Sequence, residues 1–162
     1  MVEIIVGIMG PGVQATPNDI KTAYTLGQAI AQAGWIVLTG GRNVGVMDAA
    51  SRGAKAGGGT TIGILPTADT TDMSSAVDIP IVTDLGQARN VVNVLTSRAV
   101  VACGCGPGTV SEIALAIKAN KPLILMETGD EARQFWQNLC STSPLMAATV
   151  DEAMTHLRNI LS

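Results

Sequence analysis

The stretch from residue 4 to residue 12 reads IIVGIMGPG, an apolar run that ends in a glycine-rich loop. Its β-branched residues favour a strand, and a continuous apolar run without alternation is typical of a strand buried on both faces. Thr16-Pro17 then predicts a helix start, with Thr16 as N-cap and Pro17 in the first turn. The stretch therefore predicts a strand, a glycine loop and a helix, which is the opening unit of a parallel α/β sheet.

The same order recurs along the chain and predicts the fold class. We expect one Rossmann-like domain over residues 1–162, α/β, with a doubly wound parallel sheet and helices on both faces. Segment 67–78 is polar and unperiodic, which predicts a surface loop. The further strands are predicted at 35–39, 60–65, 79–82, 99–103, 122–126 and near 147–149, and the further helices at 46–56, 86–97, 109–120, 130–139 and 151–161.

The composition excludes several classes of protein. The net charge is −3 and aromatic residues make up 2% of the 162 residues, which disfavours nucleic-acid binding. No apolar run approaches the roughly 18 residues that span a bilayer, and the first residues carry no secretion signal. Three cysteines without framework spacing predict reduced thiols and a cytoplasmic location. The mean hydropathy of +0.35 predicts apolar surface left over for a partner subunit.

Three glycine-rich loops each follow a predicted strand, at Gly10–Gly12, Gly40–Gly45 and Gly104–Gly108. Ligands of open parallel sheets bind beyond the carboxyl ends of the strands. Glycine lets the backbone approach an anion closely, and the following helix presents free N–H groups. Together the loops predict a site for a phosphate-bearing small molecule, although any one of them could simply make a tight turn.

The first loop matches the dinucleotide fingerprint G-x-G-x-x-A over residues 10–15. The fingerprint also needs an acidic residue at the end of the second strand to hold the ribose. That strand ends Leu38-Thr39-Gly40-Gly41, with no acid. We therefore expect no NAD or NADP.

Few charged residues lie near these loops. Arg42 is inside the second loop, and Arg89 lies near the start of the predicted helix 86–97. Arg98, nine residues further on, is about half a turn out of phase and faces a different way, so Arg42 and Arg89 are the candidate phosphate ligands. Glu112 is open to two interpretations, a site residue or the last member of a capping box that starts at Thr109.

The remaining reactive side chains predict little chemistry. Cys103 and Cys105 have no cysteine or histidine cluster beside them, so no metal site is expected. A single histidine, His156, makes a Ser-His-Asp arrangement improbable.

The loop sequences resemble one known family. Gly40-Gly41-Arg42 with Gly45-Val46-Met47, Ala88-Arg89-Asn90, and the run from Gly104 to Glu112 resemble the lysine-decarboxylase-like Rossmann superfamily, which contains cytokinin-activating phosphoribohydrolases. The chain is most similar to the branch of the molybdenum cofactor carrier proteins, in which the arginine motif runs Ala-Arg-Asn. The resemblance covers residues 4–126.

The chain departs from the phosphoribohydrolase pattern at two places. Gly104-Cys105 stands where those enzymes carry Pro-Gly, and Asn90 stands where they carry Lys. Cys105 also departs from the carrier pattern, in which glycine is usual, and a side chain there would narrow the loop.

The resemblance implies a carrier that binds, protects and transfers the molybdenum cofactor without catalysis, as a homodimer or homotetramer, with molybdoenzymes or proteins of cofactor synthesis as partners. The alternative is a phosphoribohydrolase that cleaves the N-glycosidic bond of nucleoside 5′-monophosphates, with Arg89 and Glu112 as catalytic residues. In either case the expected binding residues are Gly10, Gly40, Gly41, Arg42, Gly45, Arg89, Asn90, Gly106, Pro107, Gly108, Thr109 and Glu112.

Overall fold

The computed structural model describes residues 2–126, 129–140 and 144–162. Within these ranges the strands are β1 (Ile5–Met9), β2 (Ile36–Thr39), β3 (Thr61–Leu65), β4 (Ile79–Val82), β5 (Ala99–Cys103), β6 (Leu123–Met126) and β7 (Leu145–Ala147). The helices are α1 (Pro17–Gln32), α2 (Gly45–Ala56), α3 (Arg89–Thr96), α4 (Pro107–Lys118), α5 (Asp130–Leu139) and α6 (Val150–Leu161), and a 3-10 turn (Gly86–Ala88) precedes α3.

All of these strands pair in parallel in one sheet with the order β4-β3-β2-β1-β5-β6-β7. The order reverses beside β1, because the chain builds outward through β2, β3 and β4 and then returns to the other side of β1 with β5. A reversal of this kind opens a crevice at the carboxyl ends of the two central strands.

Helices cover both faces of the sheet. One apolar cluster lies under α1, α2 and α6, with Leu26, Ala50 and Leu157 fully buried. The other lies under α3, α4 and α5, where Val94 and Ile113 are fully buried. The prediction of a doubly wound parallel sheet is therefore confirmed.

Glycine sets the distance between α1 and α2. A Cβ atom at Gly27 would overlap the carbonyl oxygen of Ala50, and one at Gly53 would overlap that of Tyr24. The small residues of α2 therefore serve packing within the chain.

Several predicted boundaries were wrong by one or two residues. α4 begins at Pro107 and not at Thr109, because Gly106 is extended and forms the N-cap ahead of a proline that suits the first helical turn. β7 ends at Ala147, since the side chain of Thr149 caps α6 by accepting a hydrogen bond from the backbone N–H of Glu152.

The described residues include no helix that is both long and apolar enough to span a membrane.

Candidate functional site

A cavity of about 570 Å³ lies beyond the carboxyl ends of β1, β2 and β5. Loop 10–14 after β1 forms one wall, the start of α4 forms the second, and the loop after β2 with the start of α3 forms the third. The side chains of Met9 and Met47 contribute apolar surface. A volume in this range suits a small organic ligand.

Most of the predicted binding residues come together in this cavity. The ones that line it are Gly10, Gly40, Arg42, Arg89, Asn90, Gly106, Pro107, Gly108, Thr109 and Glu112. Gly41 and Gly45 do not line it. Both have a positive φ, and a Cβ atom at Gly45 would overlap the carbonyl oxygens of Pro11 and Gly12. These two glycines shape the loops that form the cavity.

Arg89 places a buried cation at the cavity. Its residue is 9% exposed, and neither Nε nor Nη1 has a hydrogen-bond partner. Nη2 lies 3.9 Å from the sulfur of Met47, which is a weak acceptor. Burial lowers the pKa of Arg89, the nearby Glu112 raises it, and the positive charge of Arg42 lowers it. A guanidinium group with unused donors at a cavity wall is suited to an anionic ligand.

Glu112 is the buried acid of the site and is no capping residue. Its Oε1 accepts a hydrogen bond of 2.8 Å from Nδ2 of Asn93, which is itself fully buried on α3. The capping-box interpretation was wrong because Gly106, and not Thr109, is the N-cap of α4. Burial raises the pKa of Glu112 to about 7, against the lowering effects of Asn93 and Arg89.

The start of α4 presents polar groups to the same space. The hydroxyl of Thr109 is buried without a partner. Nδ2 of Asn90 donates to the hydroxyl of Ser111 at 2.7 Å, and that hydroxyl donates to the carbonyl of Gly108 at 2.7 Å, which joins α3 to the start of α4. Free N–H groups in the first turn of a helix favour an anion.

Cys105 is exposed and does not line the cavity, so its side chain leaves the cavity open. The preceding Gly104 has a positive φ, and a Cβ atom there would lie 2.6 Å from Oδ1 of Asp19.

Two residues that contribute to the site, Asn93 and Met47, are not among those that the sequence predicts. Asn93 lies four residues after Arg89 and so on the same side of the helix, and this spacing is the signal that the sequence offers. Met47 belongs to the Gly45-Val46-Met47 motif, but nothing in the motif indicates that its side chain lines the cavity. In the described part of the chain, no group of three or more His, Cys, Asp or Glu residues is placed to hold a metal ion.

The fold and the cavity define a Rossmann-type α/β protein with a guanidinium group, that of Arg89, at a cavity beyond its strand ends. The chain belongs to the SLOG cluster4 family, whose sequence model matches residues 3–155.

Solved structures extend this likeness over the whole chain. The molybdenum cofactor binding protein from the phototrophic bacterium Rippkaea orientalis is 51% identical, with a TM-score of 0.98 over 100% of this chain and 99% of that one. The molybdenum cofactor carrier protein from Chlamydomonas reinhardtii is 46% identical, with a TM-score of 0.93 over 99% of each chain. The predicted resemblance to the carrier branch is confirmed.

The phosphoribohydrolase likeness is shorter. A cytokinin riboside 5′-monophosphate phosphoribohydrolase from Mycobacterium marinum is 42% identical over 50 residues, which are 31% of this chain and 27% of that protein.

Proposed function

We propose that this protein binds the molybdenum cofactor, protects it and hands it on, without changing it chemically. The observation that carries the proposal is likeness along the whole chain, at 46% and 51% identity, to two proteins described as carrying or binding that cofactor. The similarity to the phosphoribohydrolase covers only 31% of the chain and therefore supports an enzymatic function less strongly.

The chemistry of the cavity supports an anionic, partly flat ligand. The cofactor is a pterin with a phosphate group and a dithiolene that holds molybdenum. Arg89, the hydroxyl of Thr109 and the first-turn amides of α4 offer unused donors for the phosphate. The sulfur-bearing side chains of Met9 and Met47 offer apolar surface for the ring system. Because the dithiolene of the cofactor holds the metal, the protein needs to supply no metal ligand.

In this proposal the binding residues are the cavity-lining ones predicted from the sequence. Arg42 and Arg89 supply positive charge, and Gly10 and Gly40 bring backbone close to the ligand. Gly41 and Gly45 contribute by holding their loops in a left-handed conformation.

A second candidate is a phosphoribohydrolase, favoured by the position of Arg89 and Glu112 at the same cavity. With a pKa of about 7, Glu112 is suited to proton transfer near neutral pH. In that function Arg89 holds the phosphate, and Glu112 engages the ribose or assists the attack of water.

The surface supports a homodimer or homotetramer. The exposed apolar side chains of Val91 and Leu95 on α3, and of Ile79 and Val82 on β4, remain uncovered in the single chain. Light scattering should give a multiple of 16.6 kDa, and a clean monomer would contradict this.

We place the protein in the cytoplasm, with molybdoenzymes or proteins of cofactor synthesis as partners and with no nucleic acid or membrane partner.

The decisive experiment loads the protein with molybdenum cofactor under anaerobic conditions and measures what remains bound after gel filtration. We expect the wild type and Arg98→Met to retain cofactor and Arg89→Met to lose it, because Arg98 is exposed. Release of ribose 5-phosphate from nucleoside 5′-monophosphates, abolished by Glu112→Gln, would instead establish the enzyme. Failure of the wild type to retain cofactor would overturn the carrier proposal.

A further inference from the structure

Segment 66–78, between β3 and β4, holds a fixed position beside the cavity. Its central residues pair with the loop after β2, where Arg42 and Met73 form an antiparallel bridge. The backbone N–H of Ser74 donates to the carbonyl of Gly41 at 2.9 Å, and the N–H of Asn43 donates to the carbonyl of Asp72 at 2.8 Å. Both neighbours of Arg42 in the chain are therefore bonded to this segment.

Ser74 anchors the segment to the body of the protein. It is fully buried, and its hydroxyl donates a hydrogen bond of 2.6 Å to Oδ1 of Asp48 in the first turn of α2. The same hydroxyl accepts from the N–H of Ala76 at 3.2 Å. Hydrogen bonds to a carboxylate are roughly twice as strong as neutral ones. One side chain thus joins the segment to α2, while its backbone holds the Arg42 loop.

The other end of the segment is fixed as well. The hydroxyl of Thr61, at the start of β3, donates to the carbonyl of Ala76 at 2.6 Å. The side chain of Asp78 accepts from the backbone N–H of Thr61 at 2.9 Å and forms an ion pair with Lys55. Loss of the Ser74 hydroxyl would therefore release the middle of the segment, which touches the Arg42 loop, and leave this end attached.

Arg42 needs such a restraint because it lies close to a like charge. Arg42 and Arg89 line the same cavity, and the positive charge of Arg42 lowers the pKa of Arg89. Among the described residues neither arginine forms an ion pair within 4.0 Å. Repulsion between the two guanidinium groups favours movement of the Arg42 loop away from the cavity in the absence of an anion. Hydrogen bonds to a fixed segment oppose this movement.

We propose that Ser74 is a positioning residue that holds Arg42 at the cavity and so raises the affinity of the site for anionic ligands. The inference rests on the proposed binding function. It assigns the segment between β3 and β4 a role in the site, although Ser74 does not line the cavity.

A double-mutant cycle tests the proposal. The dissociation constant for molybdenum cofactor is measured anaerobically for the wild type, Ser74→Ala, Arg42→Ala and the double variant, with the exposed neighbour Ser75→Ala as the matched control. We expect Ser74→Ala to weaken binding about 5-fold when Arg42 is present and less than about 2-fold when it is absent. Ser75→Ala should leave binding unchanged.

Amide hydrogen exchange gives a readout that needs no ligand. Ser74→Ala should speed exchange at the N–H of Asn43 by about 10-fold or more, since its acceptor is the carbonyl of Asp72. Should Ser74→Ala fail to fold, Asp48→Asn replaces it. Asparagine keeps an oxygen that can accept the hydrogen bond from Ser74 but removes the negative charge that strengthens this bond. The same Arg42-dependent weakening is then expected.

The outcomes separate the two proposals. Equal weakening in both Arg42 backgrounds, or none, overturns the positioning role. If the wild type does not bind the cofactor, the proposed function fails, and the cycle is repeated with inorganic phosphate as the probe. Arg42-dependent weakening of phosphate binding supports the positioning role, and absence of phosphate binding overturns it.

Discussion

The guanidinium group of Arg89 lies against the bare backbone of Gly40. A Cβ atom at Gly40 would overlap Nη1 of Arg89 and would lie 2.6 Å from the sulfur of Met47. Gly40 has no positive φ, so its backbone conformation does not require glycine. Glycine is required because a side chain would have no room beside Arg89 and Met47. Gly40, the residue that follows β2, thus leaves the space in which the buried cation of the cavity lies.

Replacement of Gly40 by alanine should weaken ligand binding and also lower the stability of the fold. The added methyl group displaces Arg89 or Met47, and we expect ligand affinity to fall by about 10-fold or more, with a loss of about 1–3 kcal/mol in the free energy of unfolding. Cofactor retention and thermal unfolding measure the two effects. Gly129→Ala is the control for binding, because a Cβ atom there meets nothing within 4 Å and Gly129 does not line the cavity. Unchanged retention in Gly40→Ala would show that Arg89 does not bind the ligand from this position.

Replacement of Arg89 by methionine should have opposite effects on binding and stability. A buried cation with no ion pair and with two donor nitrogens unused is costly in the empty site, so its removal should stabilise the ligand-free protein by about 1–3 kcal/mol. The same change should weaken binding of an anionic ligand about 100-fold, since charged hydrogen bonds are lost. Chemical denaturation and cofactor retention are compared with those of the exposed control Arg98→Met. A less stable ligand-free Arg89→Met would indicate that the guanidinium group serves the fold.

The elements of the fold that the sequence predicts correctly are those with a signal in their own few residues. The apolar runs at β1 and β5 predicted buried parallel strands because both faces of these strands are covered. The Thr16-Pro17 pair predicted the start of α1, and the structure has the full capping box there, with reciprocal bonds between Thr16 and Asp19. Signals of this kind succeed when the partner lies within one helical turn.

Contacts between residues that are distant in sequence were not predicted. The local pattern from Thr109 to Glu112 satisfies a capping box, but the partner of Glu112 is Asn93 on a different helix. Segment 67–78 is the loop that its sequence predicts, but the hydrogen bonds that fix its position, to the loop after β2 and to Thr61, join residues distant in sequence and were not predicted. No local pattern encodes such contacts.

The raised pKa of Glu112 predicts how stability changes with pH. The ordinary pKa of this carboxyl is 4.5, and burial raises it to about 7 in the folded chain. The folded state therefore binds the proton more tightly than the unfolded state. This contribution to stability is fully present below pH 4.5, decreases as the pH rises to about 7, and is lost above that.

Glu112→Gln should remove this pH dependence. The difference between the two pKa values corresponds to at most about 3 kcal/mol, so the variant should exceed the wild type by up to that amount at pH 8 and by little at pH 4.5. Glutamine keeps an oxygen for the hydrogen bond from Asn93. Denaturation between pH 4.5 and 8.5 measures the difference, with the exposed Glu3→Gln as control. Parallel curves for wild type and Glu112→Gln would contradict a raised pKa.

Binding of an anionic ligand should depend on the same proton. Glu112 and Arg89 line one cavity, with Arg42 close enough to act on Arg89, so a negative charge on Glu112 opposes a phosphate that binds at these arginines. Affinity should therefore decrease as Glu112 ionises. A phosphate monoester loses its own second proton near a pKa of about 6, so the useful range begins above that value.

Dissociation constants for the cofactor are compared at about pH 6.5 and 8.5 for wild type and Glu112→Gln. We expect the wild type to bind about 10-fold more weakly at the higher pH and the variant to change less than about 2-fold, because the glutamine carries no charge. The titration of the ligand affects both proteins equally. A difference between their pH dependences of binding is therefore caused by Glu112. An equal pH dependence in the two proteins would show that the ligand binds too far from this carboxyl to sense its charge.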